Sequence, residues 1–72
     1  MANIPTLDEF KSEFSEQINR RFGTDREGIT YYRTIEENVW CSGKVLASYT
    51  VNRGLNTLTV FWNEHNEYVI PG

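Results

Sequence analysis

The chain is poor in the features that small proteins use to staple themselves together or to do chemistry. It has one cysteine, Cys41. No disulfide can form within the chain, and a lone thiol suits a reducing compartment better than an oxidising one. It has one histidine, His65, and no CxxC or HxxxH spacing, so no metal site and no cofactor are expected. Long apolar runs are missing. Nothing approaches the ~20 residues of a membrane span. Met1-Ala2-Asn3-Ile4-Pro5 lacks the basic start and apolar stretch of a signal peptide, so no membrane partner and a cytoplasmic location are expected. Cations are scarce: seven Lys and Arg stand against ten Asp and Glu, for a net charge of −3. Tight binding to a phosphate backbone needs a basic surface, which this balance does not supply. No Gly-rich phosphate loop is present.

Seventy-two residues are expected to form one domain, residues 1–72. A chain this short has little interior, and ordering it costs about 1.5 kcal/mol per residue. Without staples it must rely on an efficient core or on association with a partner.

The clearest element is a helix over residues 6–22. Thr6-Leu7-Asp8-Glu9 matches a capping box, in which the Thr6 hydroxyl and the Glu9 carboxylate satisfy each other's backbone N–H. Leu7, Phe10, Phe14, Ile18 and Phe22 follow at spacings of three and four, on one stripe. Acidic residues open this helix and Arg20-Arg21 close it, which suits the helix dipole. Gly23 then supplies a C-terminal stop.

Four strands are expected next, at about 29–41, 44–51, 56–62 and 67–70. The first admits two readings. Ile29, Tyr32 and Ile35 also fit a helix face, but the density of β-branched and aromatic residues favours a strand. A Ser42-Gly43 turn sets Cys41 against Lys44 and Trp40 against Val45. A turn over Asn52–Leu55 sets Val51 against Asn56, Tyr49 against Leu58, Ala47 against Val60 and Val45 against Trp62. A three-residue loop Glu64–Asn66, with Asn66 left-handed, sets Tyr68 against Trp62 and Ile70 against Val60. Pro71 ends the last strand. One face then carries Trp40, Val45, Ala47, Tyr49, Val51, Leu58, Val60 and Trp62. The other carries Val39, Cys41, Lys44, Leu46, Ser48, Thr50, Thr57, Thr59 and Phe61. The fold class is α+β: one N-terminal helix packed on a three- to four-stranded antiparallel meander, a two-layer sandwich.

No catalytic residues emerge. Cys41 and His65 fall in different turns, and Cys41 reads as a packing residue. Glu36 and Glu37 are strand neighbours that point to opposite faces and cannot act as a pair. The chain reads as non-enzymatic. Sheet aromatics such as Tyr31, Tyr32 and Phe61 could stack single-stranded nucleic acid, but the cations are few and most rings sort to the helix-covered face, so nucleic acid is the weaker reading. Two surfaces remain as candidates for a protein partner. One is an outward apolar corner of Val39, Leu46 and Phe61, which either binds a partner or lies under the chain's ends or the 24–28 connection. The other is the acidic helix face of Asp8, Glu13 and Glu16. A homodimeric accessory protein is a further alternative.

In size, charge, single cysteine and expected architecture, the whole chain resembles small phage or mobile-element proteins, among them inhibitors of the anti-CRISPR type. That resemblance rests on no motif. It implies a stoichiometric inhibitor of a host defence nuclease complex, acting in the host cytoplasm by occupying a nucleic-acid groove.

Overall fold

The structure is a computed structural model that describes residues 4–40 and 43–70; the side chains of residues 36–40 and 43 lie outside the description. The capping box forms as expected. Thr6 Oγ1 accepts from the Glu9 N–H at 3.2 Å, and the Thr6 N–H donates to Glu9 Oε1 at 2.9 Å. It opens α1 (Leu7–Glu13), which is followed directly by α2 (Ser15–Phe22). The single expected helix is therefore two. Phe14, at φ −106° and ψ 18°, leaves helical geometry between them. Its N–H still donates to Phe10 O at 2.9 Å, and its carbonyl accepts from Ile18 at 2.9 Å. A one-residue break that keeps these bonds leaves the three-and-four spacing of the stripe intact, so periodicity cannot reveal it.

The sheet is an antiparallel meander in the order β1 (Thr30–Trp40), β2 (Gly43–Arg53), β3 (Asn56–Asn63) and β4 (Tyr68–Val69). The strand reading of residues 30–36 holds. Two expected registers do not. Arg53 faces Asn56 and Tyr49 faces Val60, so the hairpin turns over two residues, Gly54-Leu55, instead of four. Gly54 takes φ +61° at the first central position, as a type II′ turn requires. Trp40 faces Gly43, and Val45 faces Asn38 rather than Trp40. The expected Cys41–Lys44 pair and Ser42-Gly43 turn give way to this register, in which Lys44 faces Val39; Cys41 and Ser42 lie outside the described residues.

Over residues 47–53 the second hairpin is slipped by two residues, and side chains alternate with period two, so the face assignment survives there. At the bulge it does not: Val45 faces Asn63 instead of Trp62, a slip of one, and Leu46 rather than Val45 packs on the core cluster. Val45, Ala47, Tyr49, Val51, Val60 and Trp62 are all buried, as are Phe10, Phe14, Ile18 and Phe22 from the helices. Nine of these ten, Val45 excepted, form one cluster, against which Ile4, Leu7, Ile29, Tyr31, Leu46, Leu58 and Tyr68 pack. Phe10 is the hub. Its ring stacks on Tyr49 at 4.8 Å and on Phe14 at 5.1 Å, while Tyr68 meets Phe14 edge-on at 4.8 Å.

Bulges disturb both sides of β2 at Leu46. On one side the register shifts between Ile35 and Asn38; on the other it shifts between Val45 and Ala47. The last hairpin follows its expected geometry. Asn66 adopts φ +59°, Asn63 and Glu67 bracket Glu64–Asn66, and Tyr68 faces Trp62. β4 is shorter than expected and stops at Val69, which leaves Ile70 exposed and unpaired with Val60. Pro71 lies outside the described residues.

Candidate interaction surfaces

The arginines determine what the surface can offer. Arg33 and Arg53 fall on the apolar side of the sheet by alternation, and each reaches a carbonyl at a helix end. Arg33 Nη1 donates to Pro5 O at 2.7 Å. Arg53 donates to Phe22 O at 2.6 Å and to Asp25 O at 3.0 Å, with its guanidinium 6.0 Å from the Phe22 ring centre. Arg26 donates to Gly23 O at 2.6 Å and also to Asn19 Oδ1. Arg21 donates to Thr57 O at 3.3 Å, and Asn56 Nδ2 returns a bond to Arg21 O at 3.0 Å. Arg20 pairs with Glu16. Three carbonyls at the helix C-terminus, of Arg21, Phe22 and Gly23, thus accept from side chains, two of them cationic, where the helix dipole favours positive charge. All five arginines bond oxygens of their own chain. Lys11 sits 3.6 Å from Asp8 and 4.7 Å from the Tyr31 ring centre.

The acidic helix face behaves differently. Asp8, Glu13 and Glu16 are all exposed. Asp8 and Glu16 have a cationic neighbour one turn away, in solvent-exposed pairs of the kind that contribute little to stability. Four acids and one lysine give residues 1–19 a net charge of −3.

The apolar corner is only partly assembled. Leu46, expected on the outward face, packs half-buried against the core cluster, because the double bulge redirects it. Phe61 does alternate away from its buried neighbours Val60 and Trp62 and is half-buried. The Val39 side chain lies outside the description. What the outward face does carry is three uncharged rungs. They run Thr30–Asn52–Thr57, Tyr32–Thr50–Thr59 and Thr34–Ser48–Phe61–Val69.

Two tyrosines titrate abnormally. Tyr49 is wholly buried, and its hydroxyl donates to Pro5 O at 2.6 Å. Burial chiefly, with the nearby Tyr68 adding, pushes its pKa up to about 12 against the opposing pull of Arg33. Burial and then Glu13 raise that of Tyr68. Both hydroxyls are therefore held neutral, the opposite of what a tyrosine nucleophile or base needs. The convergence on Pro5 was missed in the sequence. Its signal was a cation, Arg33, on a strand position that alternation assigns to the apolar face. His65 is exposed in its polar turn, its backbone N–H donating to Asn63 Oδ1 at 3.0 Å.

Among the described residues no three His, Cys, Asp or Glu side chains gather as a metal cage would need, and no helix is long and apolar enough to cross a membrane. No protein-family model, curated protein or solved structure matches this chain.

Proposed function

We infer that the chain is a non-enzymatic protein-binding module, a two-layer sandwich that presents its acidic helix face to a basic groove on a larger partner. The observation that carries this reading is the division of charge. Four of the five arginines donate to backbone carbonyls of their own chain, while Asp8, Glu13 and Glu16 are exposed on the helix face, Asp8 and Glu16 beside one cation each. A surface of that kind steers a basic partner and repels nucleic acid. A cytoplasmic host nuclease complex is the partner class that fits, since its nucleic-acid groove is basic and its occupation by an acidic protein is inhibitory.

The test is affinity capture with mass spectrometry from the source cell, followed by kinetics on the captured partner. The double variant Glu13→Lys/Glu16→Lys should retain the fold and lose at least about tenfold in association rate at low salt, with the difference shrinking as salt rises. Capture of nucleic acid instead, or an association rate indifferent to both charge reversal and salt, overturns the reading.

A further inference from the structure

The segment Ile29-Thr30-Tyr31-Tyr32-Arg33-Thr34-Ile35 reads almost identically in both directions. About Tyr32 as centre, Ile29 mirrors Ile35 and Thr30 mirrors Thr34; only Tyr31 and Arg33 differ. The fold gives this symmetry a setting. Residues 30–35 belong to β1, which is an edge of the sheet and has β2 on one side only. An edge strand turns a row of backbone N–H and C=O groups outward, ready to pair with another strand. The other edge is broken: β4 is two residues long and covers only Phe61 and Trp62 of β3, and in the remaining stretch, Asn56–Val60, the Thr57 carbonyl already accepts from Arg21.

We propose that β1 pairs antiparallel with β1 of a second copy of this chain, about a two-fold axis at Tyr32, so that two four-stranded sheets become one continuous sheet. This register sets Tyr32 against Tyr32 of the second copy, Thr30 against Thr34, and Ile29 against Ile35. Aromatic, Thr–Thr and β-branched pairs of this kind are the favourable cross-strand combinations. Tyr31 meets Arg33, a ring beside a cation stem. No like charges face each other in the paired segment. Centring on Arg33 would oppose two guanidinium groups, and centring on Tyr31 would set Ile29 against Arg33. A two-fold axis normal to the sheet also keeps each face with its own kind.

Two exposures support the pairing. Tyr32 is 49% exposed and Ile35 is 57% exposed, both large side chains on this one edge. Ile35 lies across from buried Ala47, yet more than half of it is open. In the paired form Ile29 of the second copy comes to it. The pairing stops at the bulge between Ile35 and Asn38, before Glu36 and Glu37 would take part. The occupant is a second copy rather than an unrelated peptide because the complementarity is palindromic.

The experiment uses the full chain. Sedimentation equilibrium should show a concentration-dependent dimer. In a Cys41→Ser background, Tyr32→Cys should cross-link to dimer on mild oxidation, because facing residues have Cα atoms ~4.5–5.5 Å apart, within disulfide reach. Thr30→Cys and Thr34→Cys should each fail alone, their copies being offset by four residues or ~13 Å along the strands, yet cross-link when mixed. Tyr32→Lys, with an unchanged circular dichroism spectrum, should be monomeric. A chain that stays monomeric at every concentration overturns the proposal. So does a dimer that survives Tyr32→Lys or cross-links best at Thr30 or Thr34.

Discussion

The Tyr49 hydroxyl and the Arg33 guanidinium donate to the same acceptor, the Pro5 carbonyl oxygen, at 2.6 Å and 2.7 Å. Tyr49 and Arg33 are also direct cross-strand partners in β1 and β2. The pair clamps the residue just before the Thr6 cap, and so ties the start of α1 to β1 and β2. Tyr49→Phe keeps the ring on Phe10 and removes one buried donor. It should cost about 1–1.5 kcal/mol in urea unfolding at pH 7, with native secondary structure kept.

The same tyrosine sets a pH dependence. Its folded pKa of about 12 lies above the ordinary 10.0. Above pH 10 the unfolded chain has released this proton while the folded chain still holds it, so stability falls as pH rises. The contribution is complete below pH 10 and lost through pH 12, amounting to roughly 2–3 kcal/mol at most. Unfolding free energies at pH 8 and pH 11 should differ less in Tyr49→Phe than in the parent. An equal fall in both would assign the alkaline loss to other groups.

Phe10 is the residue on which the core depends most. It is fully buried and stacks on both Tyr49 and Phe14. Phe10→Ala should cost about 3–5 kcal/mol, against a total of about 4–11 kcal/mol for a chain of this length. Thermal melts followed by circular dichroism should show a variant that is partly unfolded near room temperature. Phe10→Leu should be clearly milder.

Asn63 holds the last turn from inside. It is 2% exposed, and its Oδ1 accepts from the N–H groups of His65 and Glu67, each at 3.0 Å. Asn63→Ala should cost about 1–3 kcal/mol by leaving those donors without their acceptor. Hydrogen exchange should speed up at His65 and Glu67 before it does in β2.

At the positive-φ positions of the second and third hairpin turns, Gly54 and Asn66, the outcomes should diverge by residue type. Gly54, at φ +61°, has open space where a Cβ would sit, with nothing within 4 Å, so backbone strain alone decides its replacement. Gly54→Val should lose about 1–2 kcal/mol, with Gly54→Asn losing less. Asn66→Gly should be close to neutral, because Asn66 already carries φ +59°. Urea titrations of the three variants would separate these cases.

Short-range chemistry is enough to determine the cap at Thr6 and Glu9, the stripe from Phe10 to Phe22, the left-handed Asn66 loop and the sorting of the sheet into a buried face and a threonine-rich one. Each depends on contacts within a few residues or on a period of two, which can be counted from the letters. The tertiary structure alone decided which residues face each other across the first two hairpins, because along residues 47–53 a slip of two leaves every side chain on its own face, and only the bulge exchanges Val45 for Leu46 against the core. At the second hairpin the contacts that accompany the observed register are remote: Arg53 donates to Phe22 O and Asn56 to Arg21 O, so both residues flanking Gly54-Leu55 are tied to the helix end. The break at Phe14 and the inward turn of Leu46 come from packing and paired bulges that no local pattern records. The acidic face was legible because exposed charge on a helix follows its period. The partners of Arg21, Arg33 and Arg53 were not legible, because their acceptors, Thr57 O, Pro5 O and Phe22 O, lie 28 or more residues away in the chain.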